Sequence, residues 1–320
     1  MAYSVPILII LFNRPDNAQK LINQLRTIKP SNLFIAIDGP RVNKPSDKEG
    51  VEACVRLLDT IEWPCQINKK ISPINLGCGE NVSGAINWFF SEIEEGIILE
   101  DDCIPSEAFF NFCEFQLKKY RYEPQIMMIS GNRWNDEFPI HTDYFYSMFT
   151  STWGWATWRR AWQYYDYRMS DWPAIKTSKD FQDWLKLPEI KAFWLNKLNS
   201  YYQHISIKIS NWDFQWQYTV FKKKGLVITP TENLVQNIGT EGVHTYASQE
   251  GVHFKPTTKA SFKITKEPQI IAPNYSYDKY HSQKLLNQQP TIYSKLKFGF
   301  KQILALDTTY LSNQFNKLFH

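Results

Sequence analysis

The stretch Gly96-Ile97-Ile98-Leu99-Glu100-Asp101-Asp102-Cys103-Ile104-Pro105 decides how the rest of the chain is read. Its apolar run, Ile97–Leu99, suits a strand buried on both faces of a parallel sheet. Three adjacent carboxylates follow at once, and a sheet interior cannot hold them without partners. The strand must therefore end at Glu100, with the acids at its carboxyl edge. In open α/β sheets ligands bind at that edge. Hard divalent cations take oxygen ligands and bridge carboxylate to phosphate. The triplet is a candidate metal–diphosphate site, and a solvated acidic turn is the competing reading.

Upstream, strand and helix patterns alternate. Val5–Phe12 reads as a first buried strand, followed by Asn13-Arg14-Pro15-Asp16. Asp16 is placed to cap a helix through Ile28, with Ala18, Leu21, Ile22 and Leu25 at helical spacing. Leu33–Ile37 is a second strand closing in Asp38, Val51–Ile61 a second helix after a polar loop, and Cys65–Ile71 a third strand. Asn75–Asn81 is a glycine-bearing turn before a helix over Val82–Ile93. Gly77 and Gly79 either expose N–H groups to a phosphate or serve the turn alone, since no complete dinucleotide or Walker pattern is present. The order predicts an α/β fold with a mostly parallel sheet flanked by helices.

Downstream, Glu107–Tyr120 reads as a helix, and Ile126–Ser130, Tyr144–Met148 and Leu226–Thr229 as strands. Trp155, Trp158 and Trp162 sit at helical spacing and fit a packing stripe. Trp153-Gly154 reads as a loop that brings an aromatic to a ligand, and Trp153 and Trp155 are candidates to stack on a sugar. Lys176–Ser200 looks helical. Asp213, between Trp212 and Phe214, is either an N-cap or a carboxylate shielded from water. Gly239-Thr240-Glu241-Gly242-Val243-His244 is a polar glycine loop ending in a candidate ligand. Beyond Ala247 the pattern weakens until Lys295–Leu318, an amphipathic stretch with two readings: docking on the main domain, or contact with anionic lipid. The expected division is 1–246 and 247–320.

Composition narrows the classes. A formal net charge of +4 without a basic stripe argues against a nucleic-acid partner. Five cysteines, an odd number without metal-site spacing, fit reduced thiols in a cytosolic setting. The apolar run at Val5–Phe12 is too short to span a bilayer, so a soluble protein, or one peripheral at the inner membrane face, is expected.

Taken in order, Asn13-Arg14-Pro15, Ile37-Asp38-Gly39, Asn75-Leu76-Gly77-Cys78-Gly79, Leu99-Glu100-Asp101-Asp102, Trp153-Gly154-Trp155 and Trp212-Asp213 carry a resemblance. Over Val5–His244 the chain resembles GT-A-fold, nucleotide-sugar-dependent glycosyltransferases, those similar to N-acetylglucosaminyltransferase I and its bacterial relatives. The resemblance implies a Rossmann-like GT-A domain with a C-terminal helical extension. It also implies inverting transfer of a sugar from a nucleoside-diphosphate donor, with UDP favoured, to a glycan or lipid-linked acceptor. Mn²⁺ or Mg²⁺ would be bound by Asp102, with Glu100 and Asp101 facing ribose and sugar. Arg14 matches a nucleotide-contacting position, and Asp38 an acid that reads the uracil edge. Asp213 matches the catalytic base, and Gly239–His244 a loop that orders over the diphosphate. Phe214 is a departure, because the family often carries a second acid there. Should Asp213 not be the base, Glu241 and Asp171 are next. A nucleotidyltransferase, or a non-catalytic carbohydrate- or nucleotide-binding module, are the alternatives.

Overall fold

The computed structural model describes residues 2–186, 188–204, 211–239 and 262–287. The amphipathic stretch Lys295–Leu318 and most of the Gly239–His244 loop, His244 and Glu241 included, lie outside these residues. The chain divides into two units, Met1–His281 and Ser282–His320. Of the second, only 282–287 are described, as the end of a helix.

The first half alternates as its hydrophobic pattern demands: β1 (Ile7–Leu11), α1 (Pro15–Ile28), β2 (Asn32–Ile37), α2 (Ser46–Leu57), β3 (Gln66–Ile71), α3 (Cys78–Glu92) and β4 (Glu95–Glu100). Then come β5 (Cys103–Pro105), α4 (Glu107–Lys119), β6 (Ile126–Ser130), β7 (Tyr144–Ser147) and β8 (Trp155–Trp158). The helices α5 (Arg159–Trp162), α6 (Trp172–Ile175), α7 (Lys179–Trp184), α8 (Pro188–His204) and α9 (Asp213–Lys222) follow. The described chain ends with β9 (Leu226–Pro230), β10 (Val235–Asn237) and α10 (Tyr275–Asn287).

One eight-stranded mixed sheet, in the order β3-β2-β1-β4-β8-β6-β9-β7, organises the molecule. The β3-β2-β1-β4 half is parallel throughout, while β8 runs antiparallel to both β4 and β6. Side chains alternate across the sheet, so β1 feeds two cores. Ile7, Ile9 and Leu11 join α1 and α4 on one face, and Leu8 and Ile10 join α3 and α9 on the other. Five fully buried positions in β1 explain why its sequence is continuously apolar and not alternating.

Several boundaries differ from the pattern reading, for local reasons. Arg14, not Asp16, caps α1, and Pro15 takes the first turn, where its missing N–H costs nothing. Helix α2 begins at Ser46, because buried Asp47 ties the polar stretch to Asn13 and Arg41. Helix α3 begins at Cys78, inside the expected turn. Trp155–Trp158 is a strand, with Trp155 and Trp158 on opposite faces of the sheet, so the helical stripe does not form. The expected helix over 176–200 is divided among α7, α8 and a break between them.

Residues 262–281 return to the sheet. Pro273 bridges to Tyr146, and Thr265 and Lys266 donate backbone N–H groups to Asp143. Glu267 accepts from Tyr144 Oη at 2.7 Å. No helix among the described residues is long and apolar enough to cross a membrane.

Candidate active site

Strand order reverses between β1 and β4: β1 leads outward to β2 and β3, and the chain returns to β4 on the other side. The crevice at the carboxyl ends of those two strands is the topological switch point. Arg14 emerges from the end of β1, and Glu100, Asp101 and Asp102 from the end of β4.

Asp101 turns inward and is 2 % exposed. Arg14 grips it with a two-pronged ion pair, one prong from Nε to Oδ2 at 3.1 Å, and reaches Asp102 Oδ2 from Nη1, also at 3.1 Å. Burial still outweighs the pairing, and the Asp101 carboxyl is pushed up to about 6. Arg14 and Asp101 thus hold each other, and Asp102 is the acid oriented by the pair.

Glu100 is the last residue of β4. Burial raises its carboxyl to about 8, and the charges of Asp102, Asp101 and Asp213 push in the same direction. Asp213 comes from a different element, the first turn of α9. Burial raises its carboxyl as well, opposed by the backbone N–H groups of Asp213 and Phe214 and by Lys197. The structure therefore brings Asp102 and Asp213 each into electrostatic range of Glu100, although 111 positions separate Asp213 from Asp102.

The tryptophans set where Asp213 stands. Trp212, at the N-cap of α9, stacks on Trp155 with ring centroids 5.7 Å apart, and Trp162 and Trp216 close the cluster. Tyr165 Oη donates to the Trp212 carbonyl at 3.1 Å. Trp155 is 1 % exposed, so its ring offers no face to a sugar; the stacking role expected for it is corrected to packing on Trp212, the residue before Asp213. Trp153 is only half-buried, against Trp134 at 5.2 Å.

Asp38 ends β2 and is buried. Its two oxygens accept from the backbone N–H groups of Gly39, Leu76 and Gly77 and from Asn75 Nδ2, at 2.9–3.1 Å. Those bonds resolve the Asn75–Asn81 turn: the N–H groups of Leu76 and Gly77 are directed at Asp38. Gly77, at φ +82°, supplies a conformation that other residues rarely adopt.

Cys78 had no site role of its own in the sequence, and Gly239 entered only as the start of the glycine loop. Cys78, at the start of α3, lies among Glu100, Asp213, Asp102 and Asp38; burial and then those four charges push its thiol up, so it stays protonated. Gly239 follows the β5–β10 pairing, which sets Ile238 N–H on the Asp102 carbonyl at 2.8 Å. A Cβ at Gly239 would come within 2.5 Å of Asp102 Oδ2. The start of the glycine loop therefore abuts Asp102.

Among the described residues, no group of three or more His, Cys, Asp or Glu is arranged to hold a metal. The donors present fit a different arrangement. Asp102 offers one oriented carboxylate beside Glu100, and Mg²⁺-type ions use one or two carboxylates together with phosphate oxygens. No protein-family model matches the chain, and no curated protein matches it.

Proposed function

We propose that the protein is an inverting glycosyltransferase of GT-A type that uses a nucleoside-diphosphate sugar, with UDP as the favoured nucleotide. The observation that carries the reading is the approach of Asp213, from the start of α9, to Glu100, which stands beside Asp102 at the end of β4. Asp102 would hold Mn²⁺ or Mg²⁺ together with the donor diphosphate, with Glu100 beside it, and the bound cation would offset charge on the leaving group. Asp213 takes the proton of an acceptor hydroxyl as that oxygen attacks the anomeric carbon from the face opposite the diphosphate. The bond from the anomeric carbon to the phosphate oxygen breaks, and its electron pair leaves with the diphosphate. A base with a raised pKa suits this task, because it takes the proton more readily. Exclusion of water is required, or the donor is hydrolysed. The acceptor is a glycan or a lipid-linked sugar.

The test is nucleoside-diphosphate release from a panel of UDP- and GDP-sugars, with Mn²⁺, with Mg²⁺ and with chelator. Metal-dependent release, with an inverted anomeric product, is expected. Pyrophosphate release from nucleoside triphosphate and sugar phosphate would instead identify a nucleotidyltransferase. Binding without any release would identify a non-catalytic module.

A further inference from the structure

Four of the large apolar side chains that stay exposed lie on two adjoining connections at one corner of the sheet. Val42 is 95 % exposed, Ile74 61 %, Ile71 46 % and Leu76 40 %. Val42 stands in the turn after β2 that Lys44 N–H closes on the Arg41 carbonyl at 3.1 Å. Ile71 ends β3, and Ile74 and Leu76 follow in the connection to α3. The two connections touch: a Cβ at Gly39 would come within 2.5 Å of the Ile74 backbone, and Asn75 Nδ2 bonds the Gly39 carbonyl at 2.9 Å. Single exposed apolar side chains need no explanation, but a set of neighbouring ones marks a contact surface.

The charge around that surface restricts the partner. Lys44 and Lys48 follow Val42, Lys69 and Lys70 precede Ile71, and all four are exposed. The acids of the same connections are buried: Asp38 accepts the N–H groups of Leu76 and Gly77, and Asp47 is paired with Arg41. No acid occurs between Trp63 and Gly79, and the exposed acids Glu49 and Glu80 come only in the first turns of α2 and α3. Strand β3 is an edge of the sheet. Lysine on an edge strand opposes pairing with another strand, which argues against a second copy extending the sheet. Apolar tips flanked by lysines match an anionic lipid surface, where apolar groups insert below the headgroups and ammonium groups meet their charge. Both connections leave the carboxyl ends of β2 and β3, on the edge of the parallel half-sheet where β1 leads to Arg14 and β4 to Glu100.

We propose that the connections bearing Val42 and Ile74, with the lysines that flank them, dock the chain on an anionic lipid surface at the edge of the sheet that carries the crevice. The proposal rests on this surface alone; where the transferase reading also holds, it selects the lipid-linked acceptor over a free glycan. The test is run on the full chain without nucleotide, metal or sugar, so its failure is separate from failure of that reading. The chain is sedimented with vesicles of phosphatidylcholine, and with vesicles that also contain phosphatidylglycerol, at low and at physiological salt.

Binding to the anionic vesicles is expected, weaker on the neutral ones and weakened by salt. The double variant Lys44→Gln with Lys69→Gln should lose about fivefold in affinity for each lysine removed. Val42→Ser with Ile74→Ser should weaken binding as well, with Tm unchanged because both positions are exposed. No sedimentation with anionic vesicles overturns the proposal, as does equal binding to neutral ones. Unchanged affinity in either double variant also overturns it and moves the lipid contact elsewhere, with Lys295–Leu318 the next stretch to test. Light scattering is run on the same proteins: a dimer that Val42→Ser with Ile74→Ser abolishes would assign the face to a second copy and overturn the lipid reading. Should the apolar variant fail to fold, the lysine variant decides alone.

Discussion

Arg14 and Asp101 form a two-pronged ion pair across the switch point, joining the carboxyl end of β1 to that of β4, with the acid almost fully enclosed. The pair is a brace for the crevice and leaves Asp102 as the oriented carboxylate. Truncating one partner strands the other. Arg14→Ala should therefore lower stability by about 3 kcal/mol, the scale for breaking a buried pair. The double variant Arg14→Met with Asp101→Leu should recover part of that loss. Urea unfolding of the three proteins measures it, and equal stability of Arg14→Ala and wild type would show that the brace contributes nothing.

Asp102→Ala should keep the fold, because Arg14 retains Asp101, and should lose Mn²⁺-dependent affinity for UDP. Calorimetry with and without the metal reads this directly. A folded variant with unchanged affinity in Mn²⁺ would remove Asp102 from the metal site.

Asp213→Asn is isosteric but cannot take a proton. Turnover should drop by roughly 10²–10⁴, the range for general-base catalysis, while donor affinity changes little. Near-normal sugar transfer would place the base elsewhere, with Glu241 and Asp171 next. Of these, Asp171 accepts from Tyr218 Oη at 2.6 Å and from Lys222 Nζ at 2.9 Å, an arrangement that makes it the weaker candidate.

Asp278 and His281 lie one turn apart on α10, and burial moves them in opposite directions. Asp278 accepts from Ser147 Oγ at 2.6 Å and Met148 N–H at 3.2 Å, yet burial pushes its carboxyl up to about 7. Burial pushes the His281 imidazole down to about 4. The native chain keeps the Asp278 proton between pH about 4 and 7, where the unfolded chain has lost it. That contribution to stability therefore falls as pH rises. The unfolded chain protonates His281 below about pH 6.5, which the native chain resists, so that contribution rises with pH. Between pH about 4 and 6.5 the two oppose each other. Asp278→Asn should leave the histidine slope alone, with stability relative to wild type rising by up to about 3 kcal/mol across that window. Urea midpoints at pH 4.5, 5.5 and 6.5 check the sign, and parallel profiles for variant and wild type would exclude it.

How far the fold was legible depended on the type of signal. Strands β1, β2, β4 and β6 are buried on both faces, so each is an apolar run that can be read without coordinates. The acids at the end of β4 are legible for the same reason, since charge marks where the sheet interior must stop. Helix starts were read less well. Those of α2 and α3 depend on contacts made across the fold: Asp47 with Asn13 and Arg41, and Asp38 with Leu76 and Gly77. The tryptophan spacing misled because Trp155, Trp158 and Trp162 straddle a strand and a short helix, and their faces were set by β8 inserting between β4 and β6.

The sequence by itself determined an alternating α/β chain whose fourth strand ends in Glu100, Asp101 and Asp102. Local hydrophobicity and charge suffice for that, because each strand must exclude water over its own length. Only the tertiary structure decided that Asp101 turns inward, that Arg14 braces it, and that Trp155 stacks on Trp212 beside Asp213. These are relations between residues 57 and 87 positions apart. Such relations arise from strand order and packing, which no local pattern encodes.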